Sequence, residues 1–176
     1  MKGLSERMIR AAKLDGSLYE EIKADRQALV QAAMVVILSA MAAGVGVIVH
    51  DGIGGFFLES MQAMARWYLW AFATCLVGTR LLQEPQTKAD CGAVVRMIGF
   101  ASAPGVVRLL GVIPGLGGFV FGLASAWMLG AMVIAVRETL DYTTTTRAVG
   151  ACVIGWVTQW LFMGILLSLK AAGPEA

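Results

Sequence analysis

Apolar residues fill five long stretches of this chain, and polar residues lie mainly between them. The stretches cover residues 29–49, 61–82, 94–113, 116–136 and 148–169. Each has the roughly 17 to 25 residues that a helix needs to cross the hydrocarbon core of a bilayer. These stretches are predicted to be helices, because backbone N–H and C=O groups cannot stay unpaired in lipid and a helix pairs them within one segment. The pattern therefore predicts an all-α, polytopic membrane helix bundle with five transmembrane helices.

The segment ahead of the first stretch, residues 1–28, reads as a cytoplasmic amphipathic tail. Residues 4–14 place apolar side chains on one stripe and charged ones elsewhere, which predicts a short amphipathic helix. Asp15-Gly16 breaks it, and Ser17 with Glu20 three positions later forms the capping-box pattern of a second helix that runs toward the first span. Such a basic helix is expected to lie flat on the inner leaflet, with a protein-docking surface as the alternative.

The distribution of charge predicts the orientation of the chain. Of fourteen Lys and Arg residues, six precede the first span. With a cytoplasmic N-terminus, eleven lie inside and three outside, which satisfies the positive-inside rule. Five spans then place the short C-terminal tail, residues 170–176, outside. The first span starts too far from the N-terminus, and is too long, for a cleavable signal peptide.

Composition excludes several classes of function. With 58% hydrophobic residues, 15% charged residues and a mean hydropathy of +0.73, a soluble protein is excluded. The net charge of +2 is spread along the chain, so nucleic-acid binding is not indicated. The single His50 lies at a predicted outer rim, no acid lies deep in a span, and no nucleophile motif is present. We expect no enzymatic activity, no metal and no cofactor. Three cysteines without a C-x-x-C pair predict ordinary packing.

The third stretch contains the most specific group of residues. Pro104 and Gly105 predict a kink near mid-bilayer, and the Pro114-Gly115 pair that follows predicts a very short hairpin turn. Arg96 and Arg108 flank the kink, and their twelve-residue spacing points them about 120° apart, against a single shared anion site. We predict a structural or lipid-headgroup role for both, with a solute pathway as the less favoured alternative.

Small residues recur every four positions in the fourth stretch and predict close helix packing. They are Gly118, Gly122, Ala126 and Gly130. We expect this ladder to pack inside the monomer, with self-association as the alternative. Three tryptophans lie well inside spans and are expected to fill the bundle: Trp127, Trp156 and Trp160. At the predicted cytoplasmic end of this span, Arg137 and Asp141 have the i,i+4 spacing of an ion pair.

Several segments in combination resemble the bacterial branch of the Yip family, five-span proteins named for interaction with Ypt/Rab GTPases. They are Leu18-Tyr19-Glu20-Glu21-Ile22, Gly78-Thr79-Arg80-Leu81-Leu82, Gly99-Phe100-Ala101-Ser102-Ala103-Pro104, Ile113-Pro114-Gly115, and Ala131-Met132-Val133 with Arg137. The resemblance implies a non-enzymatic protein with a cytoplasmic N-terminus, and eukaryotic relatives bind Rab GTPases and one another in vesicle traffic. Their Asp-Leu-Tyr-Gly-Pro tail segment is represented here only by Leu18-Tyr19.

Together these features predict a scaffold or adaptor of the Yip type in the bacterial inner membrane. Its role would be in membrane organisation or trafficking. Its cytoplasmic tail and loops would engage a protein partner or anionic lipid, with Tyr19, Glu20 and Glu21 as the candidate partner-binding residues. A small-solute transporter or channel is the alternative. The polar residues within spans fall short of a continuous lining: Ser39, Thr74, Ser102, Ser125, Thr158 and Gln159.

Overall fold

The computed structural model describes residues 3–77 and 91–171, and every regular element within these ranges is a helix. In chain order these are α1 (Leu4–Ala12), α2 (Gly16–Ala24), α3 (Ala28–Leu76), α4 (Cys91–Ala101), a 3-10 helix (Ala103–Val112), α5 (Gly117–Thr139) and α6 (Thr145–Ala171). The all-α prediction is confirmed. Among the described residues, three segments are long and apolar enough to cross a membrane: Ala28–Leu76, Cys91–Val112 and Gly117–Thr139.

Helix α3 is broken at Gly52. Its 49 residues would extend about 74 Å as one rod, more than twice the thickness of a hydrocarbon core. Gly52 has φ 64° and ψ −163°, a conformation that is essentially restricted to glycine. A Cβ placed on Gly44 would lie 2.6 Å from the carbonyl oxygen of Phe56 and would also collide with Ser60. The two arms of α3, residues 28–51 and 53–76, therefore fold back against each other.

The third apolar stretch changes its helix type at Pro104. Helix α4 ends at Ala101, and Pro104 lies in the first turn of the 3-10 helix, where its missing N–H leaves no hydrogen bond unmade. The Ser102 hydroxyl donates a hydrogen bond to the carbonyl oxygen of Ile98 at 3.2 Å. The predicted interruption at Pro104 and Gly105 is thus a change from α to 3-10 geometry, which has a longer rise per residue.

Three glycines of the third stretch pack against the first arm of α3. A Cβ on Gly99 would lie 2.8 Å from that of Ala32, and a Cβ on Gly111 would lie 3.0 Å from the carbonyl oxygen of Gly46. Gly105 is similarly close to Ser39, between these two contacts. As the residue number increases along the third stretch, the number of the contacted residue in the first arm of α3 also increases. The first arm and the third stretch therefore run parallel.

Residues 113–116 form the tight turn that leads into α5. The amide of Leu116 donates to the carbonyl oxygen of Ile113 at 3.1 Å, and Gly115 has φ 82°. Proline followed by a glycine with positive φ is the signature of a type II turn. Pro114 and Gly115 thus occupy the turn positions that the sequence predicts for them, and the next helix begins at Gly117.

The two N-terminal helices differ in detail from the prediction. Helix α1 ends at Ala12, and the N-cap of α2 is Asp15, whose carboxylate accepts a hydrogen bond from the amide of Ser17 at 3.0 Å. The capping box on Ser17 is therefore wrong, because Ser17 already lies inside the helix. Asp25 adopts an extended conformation after α2, so this helix does not continue into α3.

The apolar faces of α1 and α2 are buried in the bundle. Leu18, Tyr19 and Ile22 have no exposed surface and belong to the same core as Met97 and Phe100 of α4. We call α1 and α2 together the cap. The cap does not lie flat beside the bundle with its apolar face toward lipid, because α4 and α5 already cover that face. The opposite end of the bundle, with Gly52 and the 113–116 turn, is called the turn end.

Large apolar side chains also cover the outside of the long helices. Leu38 and Met41 of α3, Phe119 of α5 and Trp160 of α6 are each more than two fifths exposed. Soluble proteins rarely expose apolar surface on this scale, whereas lipid tails solvate it without cost. Together with the three long apolar helices, these surfaces indicate the class of all-helical membrane proteins.

The cysteines are arranged differently from the prediction. Cys75, near the end of α3, and Cys91, at the start of α4, form a disulfide with their Cα atoms 5.5 Å apart. They are 16 residues apart and form no C-x-x-C pair, so only the fold brings them together. Cys152 is a buried free thiol, in agreement with a packing role.

Candidate functional site

A network of charged side chains holds the cap together and attaches it to α3. Arg7 of α1 is almost fully buried. Its guanidinium donates to Glu21 at 3.1 Å, to Asp25 at 2.9 Å and to the side-chain oxygen of Gln31 at 2.9 Å. Arginine suits this place because its planar guanidinium can serve several acceptors at once. One side chain therefore connects α1, α2, the link after α2 and the first turn of α3.

Arg10 forms the second part of this network. It donates to Asp15 at 2.8 Å and to Glu21 at 3.0 Å, so Arg7 and Arg10 share Glu21. The pKa of Asp15 falls to about 2 because its carboxylate accepts hydrogen bonds from Ser17 and Arg10. The pKa of Asp25 is also lowered, chiefly by its hydrogen bond with Arg7. Both carboxylates are thus stabilised in their charged form.

Two polar contacts join the end of α2 to the bundle. Lys23 binds the carboxylate oxygens of Asp141 at 2.6 and 2.7 Å, beyond the end of α5. The Arg96 guanidinium donates to the carbonyl oxygen of Lys23 at 3.1 Å, one of the last carbonyls of α2 that has no partner within its helix. A cation at this end also interacts favourably with the helix dipole. Arg96 therefore has a structural contact within the protein.

A third contact lies farther along α5. The indole N–H of Trp127 donates to the carbonyl oxygen of Ala12 at 2.8 Å, at the end of α1. Trp127 is 38% exposed, so it packs beside the cap rather than filling the bundle as the sequence predicted. The cap is consequently fixed to α3, α4 and α5 by contacts that do not depend on one another.

The three predicted partner-binding residues have different surroundings. Tyr19 is completely buried, and burial raises the pKa of its hydroxyl well above the usual value. Glu21 is half-buried and occupied by Arg7 and Arg10. Glu20 is exposed on the outer side of α2. In this conformation only Glu20 of the three has an exposed side chain, whereas Tyr19 and Glu21 are held within the cap.

The small-residue ladder of α5 has no close packing neighbour among the described residues, and its Ala126 lines a cavity between the helices. A Cβ on Gly118, Gly122 or Gly130 would meet no atom of the described residues within 4 Å, and Ala126 is exposed. Helix α5 packs its other side, with Ala124, Ala131 and Ala135, against the bundle. Among the described residues no close neighbour contacts the ladder, so its packing inside the monomer stays a prediction.

A second polar site lies between the spans, away from the cap. A cavity of about 480 Å³ opens between the second arm of α3, the 3-10 helix, α5 and α6. Its charged lining consists of Glu59, Arg66 and Arg108, and Ser125 adds a hydroxyl. Arg66 donates to Glu59 at 2.5 Å. Such groups among apolar helices are costly and mark functional sites by default.

Arg108 occupies the centre of this polar lining. Its guanidinium donates to the hydroxyl of Ser125 at 3.0 Å and lies 5.4 Å from the centre of the Phe121 ring. The contact with the ring is within the range of a cation–π interaction. Arg96 and Arg108 therefore lie in different sites, Arg96 beneath the cap and Arg108 beside the cavity.

Three N–H donors at the cavity have no acceptor among the described residues. They are the Nε of Arg108 and the indole nitrogens of Trp67 and Trp70, all buried. A buried donor without an acceptor costs about 1 to 3 kcal/mol, so each such group in a folded protein needs an explanation. All three belong to residues that line the cavity, where two guanidinium groups face one carboxylate.

Sequence reasoning identified Arg108 but missed its neighbours. Glu59 precedes the predicted second span, residues 61–82, although the second arm of α3 is helical from residue 53. The seven-residue spacing of Glu59 and Arg66 places them two turns apart on one face, which was an available signal. Trp156 and Trp160, expected to fill the bundle, instead line the cavity and are half or more exposed.

Comparison of the chain with protein-family models, with curated proteins and with solved structures found no match. The class of all-helical membrane protein therefore rests on the fold and on the apolar helices alone.

Proposed function

We propose that this chain is a non-enzymatic, five-span membrane adaptor that presents its cap to a protein partner in the cytoplasm. The proposed five spans count the two arms of α3 separately, with α4 and the 3-10 helix as the third, α5 as the fourth and the 27-residue α6 as the fifth. The parallel packing of the first and third spans supports this count. A chain that reverses after its first span and again after its second runs in the original direction in its third. The Yip resemblance implies the same topology and an adaptor function.

The attachment of the cap to the bundle is the observation that carries this proposal. A tail that only anchors to lipid needs no defined tertiary contacts, whereas Gln31 of α3, Arg96 of α4 and Trp127 of α5 each form a hydrogen bond with the cap. Its outer surface displays Ile9, 56% exposed, and the exposed Glu20. A rigid surface loses little conformational entropy when a partner binds, which favours recognition.

Affinity purification from native membranes in mild detergent tests the adaptor proposal. Ile9→Ser should lose the co-purifying protein while membrane insertion is retained, because Ile9 is exposed on α1 and supports no core contact that the substitution would break. Ile53→Ser is the matched control, since Ile53 is 66% exposed at the turn end, where the cap's partner would not reach. Equal recovery of the same partner with both variants would refute the cap as the docking surface.

A small-solute transporter is the second candidate function, and the cavity favours it. Charged or hydroxyl groups from the second arm of α3, the 3-10 helix and α5 meet there, which gives a more continuous polar lining than the sequence indicated. Reconstituted liposomes test this function. Reproducible solute flux that is lost in Arg108→Gln, with no partner recovered in any detergent, would replace the adaptor proposal.

A further inference from the structure

The cavity is polar toward the turn end and apolar toward the cap. Glu59 lies seven residues beyond Gly52, or about 10 Å along the helix, and Ser125 lies eight residues beyond Gly117, or about 12 Å. Arg108 is about 8 Å from the end of the 3-10 helix. Trp67 and Met132 line the deeper part, each about 22 Å from the turn end. Arg66 begins about 21 Å from Gly52, beside Trp67, and its guanidinium reaches back to Glu59. The cavity is therefore an elongated space with Glu59 and Arg108 nearer the turn end and with Trp67 and Met132 deeper.

The charges of the lining favour an anion. Two guanidinium groups and one carboxylate leave an excess of one positive charge, and Arg66 is the guanidinium that Glu59 neutralises. Arg108 has no carboxylate within ion-pair distance among the described residues, and its Nε has no acceptor. In a low-dielectric surrounding, such an arginine gains much from an oxyanion that accepts its hydrogen bonds.

The apolar part of the cavity indicates what is attached to that anion. Its walls include Trp67, Trp70, Leu129 and Met132, and at 480 Å³ its volume lies within the roughly 300 to 1,000 Å³ of small-molecule pockets. Trp156 and Trp160 are exposed along one side, so the space is open toward the region that lipid would occupy. A small inorganic ion would leave this apolar volume unfilled.

We propose that this cavity binds an amphiphile with a single oxyanion head group, held by Arg108, and an apolar tail that lies along Trp67, Trp70 and Met132. The site is separate from the cap, so it does not depend on whether the cap binds a partner. The Glu59 carboxylate competes with the ligand head for the local positive charge and so limits the affinity.

Tryptophan quenching in nanodiscs provides a direct test. Four of the five tryptophans line the cavity, and the fifth is Trp127, so every tryptophan left in the Trp127→Phe protein lines the cavity. Trp156 and Trp160 are also exposed toward lipid, and brominated phosphatidylcholine controls for their quenching from the bilayer. We use nanodiscs of zwitterionic phosphatidylcholine and titrate dibromostearate, a carboxylate with bromine atoms on its tail. Saturable quenching is expected. Brominated phosphatidylcholine at the same mole fraction should quench less and without saturation.

Two substitutions should move the affinity in opposite directions. Arg108→Gln removes a charge-assisted hydrogen bond and should weaken dibromostearate binding by at least about tenfold. Glu59→Gln removes the competing carboxylate and should tighten binding severalfold. Arg137→Gln is the control for charge, since Arg137 lies at the cap end of α5 and does not line the cavity.

Competition identifies the source of the anion. An unbrominated long-chain carboxylate or a long-chain alkyl phosphate should displace dibromostearate, whereas butyrate and inorganic phosphate at the same concentration should not. Displacement by the two small ions would overturn the amphiphile proposal in favour of a soluble anion. Equal quenching by brominated phosphatidylcholine, or an unchanged affinity in both Arg108→Gln and Glu59→Gln, would show a lipid-facing groove without recognition of the head group.

Discussion

Single arginines organise both polar sites of this protein. Arg7 is buried and donates to three acceptors, whereas Arg108 donates to one hydroxyl; the Nε of both arginines has no acceptor among the described residues. The hydrogen bonds of Arg7 connect parts of the cap and stabilise it. Arg108 instead lines a cavity and has fewer acceptors, which is the property of a binding site. The number of available acceptors, rather than the residue type, separates the two functions.

Arg7→Met tests the network of the cap. The substitution leaves Glu21 and Asp25 without their shared donor, and removing one partner of a buried pair costs about 3 to 5 kcal/mol. Because both carboxylates are about a third exposed, we expect a smaller loss, about 1 to 3 kcal/mol. Hydrogen exchange of the α2 amides should become faster. Lys13→Met removes the same charge from an exposed position and should leave exchange unchanged. If both variants accelerate exchange equally, the stability of the cap depends on its net charge rather than on the contacts of Arg7.

The lowered pKa values of Asp15 and Asp25 predict acid sensitivity of the cap. A carboxylate whose pKa is depressed in the folded state stabilises it above its unfolded value of 3.8, and this stabilisation is lost as pH falls through the folded value. For Asp15 the window extends from about pH 4 to about 2. Pepsin cleavage within the cap should rise across this window. Asp15→Asn should show faster cleavage already at pH 4. If the dependence of cleavage on pH is the same in Asp15→Asn and in the unmodified protein, the Asp15 carboxylate does not stabilise the cap.

At the scale of elements, close packing depends on glycines of the third span rather than those of α5. Gly99, Gly105 and Gly111 face the first arm of α3, while Gly118 and Gly122 face no described atom. Both sets are small residues at regular intervals in apolar helices. A nearly uniformly apolar helix does not encode which side faces its neighbours, because lipid and protein are equally acceptable to Leu, Val or Ala.

Substitution of one glycine from each set tests this assignment. Gly99→Leu must displace the backbone of Ala32, whose carbonyl oxygen would lie 3.2 Å from the new Cβ, and overpacking typically costs about 1 to 3 kcal/mol. The melting temperature in detergent should fall. Gly122→Leu should leave it unchanged, because nothing described lies within 4 Å. The reverse order of stabilities would place the ladder of α5 in the interior.

At the scale of the whole molecule, the proposed five spans place the two termini on opposite faces of the membrane. A tag at the N-terminus should be protected in intact cells, and a tag after Ala176 should be accessible to an external protease. An epitope inserted beside Gly52 should also be accessible, because this residue lies where the hairpin of α3 reverses. Accessibility of both terminal tags from the same side would contradict five spans.

The sequence alone determined the all-helical class and most helix positions, because the lipid solvent requires long apolar runs that are visible without any partner. It also determined the turn at Pro114-Gly115, where the local backbone geometry demands those residue types. The arrangement of the cap and the cavity was decided only by tertiary structure. Lys23 binds Asp141, 118 residues away, although the i,i+4 spacing had indicated Arg137. Contacts between distant residues cost loop-closure entropy that only the complete bundle offsets, so local patterns could not predict them.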